Sequence, residues 1–225
     1  MHDRTHLFAL TLLVFTTLIV VGYLGTKAFG QSEFKGSGNA GEHLSVADPE
    51  AMAVVSFWIE AGPALWFAKD AKFDARFRER FLRQHEAAAR GELQHWQNSA
   101  DGALALVILL DQFPRNAFRG TPRMYDTDAL ARETARTAFS AGYDQQIATE
   151  LRKFFVLPYA HSEDLADQER SVALARRIGA DDLAHAEHHR DIVRRFGRFP
   201  HRNAILGRTS TTEEQQYLAN GGYAG

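Results

Sequence analysis

Two turns, one of them rich in carboxylates, and a run of histidine and arginine hold most of the reactive side chains in this 225-residue sequence. Asp111 closes an apolar stretch over 103–110 and is followed by Gln112-Phe113-Pro114-Arg115-Asn116. The C-terminal end of a helix carries partial negative charge, so a carboxylate there needs a cation nearby. Arg115 is the nearest one in sequence. The second turn is His161-Ser162-Glu163-Asp164-Leu165-Ala166-Asp167. Ser162 reads as a helix cap, and Glu163 and Asp164 suit a first turn. Asp167 resists that explanation. Stepping back at helical spacing from Ile178 and Leu174 passes Ser171 and reaches Asp167 and Asp164. The core-facing stripe thus turns acidic, and buried carboxylates need partners. Such a turn closes on arginines, binds a cation or serves as a general base.

The third group starts at His188-His189-Arg190-Asp191 and continues through Gly197-Arg198-Phe199-Pro200-His201-Arg202-Asn203. His189 shares a helix face with Ile192 and Phe196, and His185 lies four residues before it. Two histidines at that spacing can grip zinc, but position 186 is Ala where the metalloprotease pattern needs Glu. A core or supporting role for His189 is the better reading. Phe113-Pro114-Arg115-Asn116-Ala117 also parallels Phe199-Pro200-His201-Arg202-Asn203-Ala204, with one inserted residue. Each offers an Arg-Asn pair beyond a helix, and Arg pairs bidentately with carboxylate or phosphate. The expected centre therefore has the acidic turn after His161 facing inward, toward guanidinium groups from the two Phe-Pro corners. Its candidate catalytic residues are Asp111, His161, Glu163, Asp164, Asp167 and His189. Its candidate ligand-binding residues are Arg115, Asn116, Arg190, Arg198, His201, Arg202 and Asn203. No metal-ligand set is assigned. No organic cofactor is expected; a divalent metal such as Mg²⁺ is the one an acidic site of this kind would take.

The elements that must position these groups read as helices throughout. Asp48-Pro49 opens one that runs to about 61, stopped by Gly62-Pro63. A longer one spans 70–90, with Phe73, Phe77 and Phe81 four apart on one face and Gly91 at its end. The helix over 102–112 is apolar on every side, which places it at the centre, and Pro114 is expected to end it. Helices over 126–141, 143–157 and 162–178 follow, then one capped by Asp181 or Asp182 and ending at Gly197. Ser210-Thr211-Thr212-Glu213 reads as a capping box opening a last short helix that stops near Gly221. No segment alternates with period two, so no sheet is expected. Short Gly-marked connections predict antiparallel hairpins.

The chain is 45% hydrophobic and 24% charged, with 16 Phe, which is enough apolar material for a core. Its net charge of −2 argues against nucleic-acid binding by bulk charge. With no Cys, disulfides, thiol catalysis and thiolate-ligated zinc are excluded. Residues 7–26 carry no formal charge over 20 positions, long enough to cross a bilayer as a helix. Residues 1–30 are therefore read as a membrane anchor. Export with cleavage after Gly30 is one alternative, and a cytoplasmic protein with a misplaced start codon is the other. Residues 31–47 read as a flexible linker, and 48–225 as the all-α domain.

Five longer motifs carry a family resemblance: Trp66 to Asp70 (WFAKD), Gly91 to Trp96 (GELQHW), Leu110 to Arg123 (LDQFPRNAFRGTPR), Leu157 to Ser171 (LPYAHSEDLADQERS) and His189 to Thr211 (HRDIVRRFGRFPHRNAILGRTST). Together they resemble the bacterial domain of unknown function 924 family over about 47–217. The resemblance implies an all-α fold of the tetratricopeptide-like superfamily, about eight helices behind the N-terminal segment. It implies no activity. Stacked hairpins suit a groove for a protein or peptide, so a binding module is the first functional expectation. The alternative is a small-ligand protein for anions or phosphate, or a metal-assisted hydrolase, using the Asp, Arg and His cluster.

Overall fold

The computed structural model describes residues 48–225. The expected anchor at 7–26, the cleavage position at Gly30 and the linker over 31–47 lie outside the described residues. Among the described residues, no helix is long and apolar enough to cross a membrane. They form an all-α domain without strands.

Helix α1, Pro49–Ala61, starts where Asp48 accepts a hydrogen bond from the Glu50 amide. The one-turn α2, Pro63–Trp66, follows at once. Asp70 caps α3, Ala71–Ala89, by accepting from the amides of Lys72 and Phe73. The expected Phe stripe of α3 is buried, and Phe57 of α1 stacks on Phe73 and Phe77. Each such ring contributes roughly 1.5–3 kcal/mol by leaving water. Helix α4, Ala100–Val107, is buried from Gly102 onward and forms the middle of the main core. A Cβ on Gly102 would stand 2.1 Å from the Trp96 carbonyl oxygen, so no larger residue fits there.

Against α4 pack α1; α6, Asp128–Ser140; and α7, Lys153–Ala160; α5, Phe113–Ala117, packs on α3. Two further helices, α8 (Leu165–Ala175) and α9 (Ala180–Phe196), pack as a hairpin, and α8 also packs on α7. Val156 of α7 joins Val172, Ala175 and Ala186 in a small second core. A third, around Ile192, Val193 and Phe199, ties α9 to the C-terminal segment with α10, Thr212–Ala219.

Several boundaries differ from the sequence reading. The chain does not stop at Pro114 but passes through it into α5. The stretch over 143–157 is not one helix: 3₁₀ turns at Tyr143–Gln145 and Thr149–Leu151 precede α7. Asp164, not Ser162, caps α8, accepting from the amides of Ala166 and Asp167. No side chain caps α9, which begins after Gly179 with Asp181 and Asp182 inside its first turn. The capping box is one residue later than expected, with Thr211 and Glu214 as its members.

Candidate functional site

The passage through Pro114 creates the site. Residues Ile108–Gln112 form a π turn, in which the Phe113 amide donates to the Ile108 carbonyl five residues back. The carbonyls that an α-helix would satisfy are then left for side chains. Leu109 accepts from Nδ1 of His85 on α3 at 2.9 Å. Leu110, which lost a donor because Pro114 has no N–H, accepts from the Thr127 hydroxyl at 2.6 Å. Asp111 accepts at its own carbonyl from Nη1 of Arg115 at 2.8 Å. Single π turns of this kind recur where a functional side chain is aimed.

The turn buries the Asp111 side chain completely. One of its oxygens lies 2.8 Å from Nδ1 of His161, at the end of α7, and 3.2 Å from Nη1 of Arg115. The other accepts from the Gln112 amide. Burial alone would raise the Asp111 pKa, but the Arg115 charge and the hydrogen bonds from His161 and Gln112 outweigh it and hold the carboxyl below its usual range. Asp128, in the first turn of α6, takes the Arg115 guanidinium bidentately at 2.8 and 3.0 Å. Arg202 comes within 3.9 Å of Asp128 and donates to the His161 carbonyl at 2.9 Å. Its guanidinium lies between the rings of Tyr125 and Phe199, 4.6 Å from each centroid.

A carboxylate only accepts hydrogen bonds, so Nδ1 of His161 carries the proton and Nε2 presents a lone pair. Burial, and next the Arg115 charge, lower the His161 pKa and keep the ring neutral at pH 7. His161 faces a cleft of about 230 Å³. Arg115, Arg119, Arg202 and Lys69 line it together with His161, His185, His189, His201 and Gly225, and among the described residues no Asp or Glu side chain does. Trp66, Phe67, Tyr125 and Tyr223 give it aromatic walls. Burial, and then the adjacent His185, push His189 down to about 2. Burial, and then Arg202, push His201 down to about 4.

The profile of a family described as bacterial proteins of unknown function (DUF924) matches residues 54–222. The chain belongs to this family. A solved structure of a protein of unknown function from Agrobacterium tumefaciens resembles this DUF924 chain at 55% identity, with a TM-score of 0.75. The similarity covers 76% of this chain and 97% of the Agrobacterium one. No curated protein matches.

Within this DUF924 domain the expected site residues divide into two groups. Asp111, Arg115, His161, His189, His201 and Arg202 meet at or directly behind the cleft. Asn116 also lines it, donating its amide to Asp74 at 2.8 Å. The other candidates hold the C-terminal segment or lie at the surface. Glu163 binds Arg208 at 2.6 Å and accepts the Phe199 amide. Arg198 binds Glu214 at 2.6 Å, and Asn203 donates to Ser210 and Glu214. Arg190 pairs with its neighbour Asp191.

The inward-facing acidic turn is corrected by the structure. Asp164 is exposed, because a capping carboxylate must point at the free amides of its own helix. Asp167 accepts from the Ser162 hydroxyl at 2.6 Å and pairs with Arg132 at 3.2 Å. The acid that does meet both arginine corners is Asp128. In sequence Asp128 reads as an ordinary first-turn residue, and only a pairing 13 positions away gives it weight. Tyr125, Lys69 and Tyr223 were equally silent, since they reach the cleft from three separate segments.

Among the described residues, no group of three or more His, Asp or Glu is arranged to hold a metal ion. A hard cation such as Mg²⁺ would look for carboxylate oxygens. Those of Asp111 and Asp128 are committed to guanidinium, imidazole and amide partners.

Proposed function

We propose that the cleft binds a small anionic metabolite and that His161, oriented by Asp111, accepts a proton in it. One observation carries this reading: a neutral imidazole with its lone pair toward a cleft lined by cations and, among the described residues, by no Asp or Glu side chain. Nε2 would take a proton from a donor group bound beside it, Asp111 would stabilise the imidazolium formed, and Arg202 would hold the ligand's anionic group. This favours the anion-binding reading over the peptide-binding module. The exposed large apolar side chains among the described residues, Ile59, Phe67, Leu130, Leu165 and Leu206, sit on five separate segments. They form no helical stripe of the kind a peptide groove uses.

Titration calorimetry of the full chain with succinate, malate and inorganic phosphate tests the reading. At least one of these anions is expected to bind, and Arg202→Gln is expected to weaken it about tenfold or more. Absence of binding by all three to the folded wild-type chain would overturn the proposal.

A further inference from the structure

The cleft also specifies what its ligand carries besides negative charge, an inference resting on the anion-binding reading above. His161 donates from Nδ1 to the Asp111 carboxylate. His189 contacts the His185 carbonyl through Nδ1 at 2.9 Å, and a carbonyl accepts only, so this nitrogen too bears the proton. Both rings therefore present a bare Nε2, and among the described residues nothing donates to either. The amides beside them point the same way. Gln112 gives one N–H of its amide to Asp111 and Asn116 one of its own to Asp74, which fixes the flip of each and leaves its carbonyl oxygen, beside a second N–H, to accept. The cleft thus combines cationic donors with several acceptors whose tautomer or flip is fixed from behind.

A ligand made only of deprotonated oxyanions would satisfy the cations and leave those acceptors desolvated and unpaired, which is costly. An ammonium group would supply donors, but it would sit among Arg115, Arg202 and Lys69 with no Asp or Glu side chain on the cleft lining among the described residues. A neutral hydroxyl meets both demands. The volume of about 230 Å³ lies below the range of drug-sized pockets and suits a molecule of a few carbons. We infer that the cleft is built for a small hydroxy acid, its carboxylate on Arg202 and its hydroxyl donating to the bare imidazole nitrogens.

Matched ligand pairs test this on the full wild-type chain by titration calorimetry: malate against succinate, and lactate against propionate. The hydroxylated member is expected to bind about tenfold or more tightly in each pair. In His189→Phe the malate-to-succinate ratio is expected to shrink, a change that a purely structural role for this ring would not produce. Equal affinities within both pairs would overturn the inference while leaving the anion cleft in place. Binding of inorganic phosphate with no binding of either hydroxy acid would do the same. Failure of every acid and of phosphate would remove the anion-binding reading itself.

Discussion

Replacing Asp111 with alanine is expected to destabilise the protein by about 3–5 kcal/mol, the range for breaking a buried ion pair from one side. Its carboxylate has no solvent exposure and serves His161, Arg115 and Gln112 at once. Without it, Asp128 is the one carboxylate left to Arg115, and the His161 Nδ1–H loses its acceptor in a site water reaches poorly. The same change at Asp164 removes an exposed cap worth about 1 kcal/mol. Urea unfolding of the full chain at pH 7 measures both. A loss at Asp111 no larger than that at Asp164 would show that the buried cluster is not the keystone described here.

Stability is expected to fall steeply as the pH drops from 7 to 5. His201 is held down to about 4 and His189 to about 2, chiefly by burial, whereas an unfolded imidazole titrates near 6.5. Between those values the unfolded chain binds protons that the folded chain refuses. Their contribution is therefore complete above about pH 7 and is lost as the pH falls, about 1.4 kcal/mol per pH unit for each ring. For the two rings the loss from pH 7 to pH 5 is on the order of 4 kcal/mol. Asp111, held below the usual carboxylate range, adds its own loss only in stronger acid. Unfolding free energies at pH 7, 6 and 5 give the slope, and His201→Gln is expected to reduce it by about half. A flat profile would mean that these rings are solvated or already charged in the folded protein.

Local periodicity carried much of the architecture. The Phe73, Phe77 and Phe81 stripe, the all-round apolar α4, the Asp48 cap and the glycine stop at Gly197 are signals contained within one turn or one face. The failures are positions where a distant partner decides. Pro114 reads as a stop because it lacks an N–H, yet the Thr127 hydroxyl, 17 residues from Leu110, supplies the missing donor and the helix continues. The acidic stripe through Asp164 and Asp167 was a sound periodic argument, but it was overruled by a cap and by Arg132. His161 and Asp111 were both visible as candidates. Both were expected in one centre, but their direct hydrogen bond across 50 residues was not, because no local rule predicts which side chains pair when helix ends converge.

The account rests on a neutral His161 whose proton sits on Nδ1 toward Asp111 and whose Nε2 is bare in the cleft. Nitrogen-15 NMR of the histidine side chains, with His161→Gln used to assign the signal, reads this tautomer directly. At pH 7 the account predicts a protonated Nδ1 and an unprotonated Nε2 that shifts when malate is added. A signal for the opposite tautomer, or for a doubly protonated ring at that pH, would contradict it.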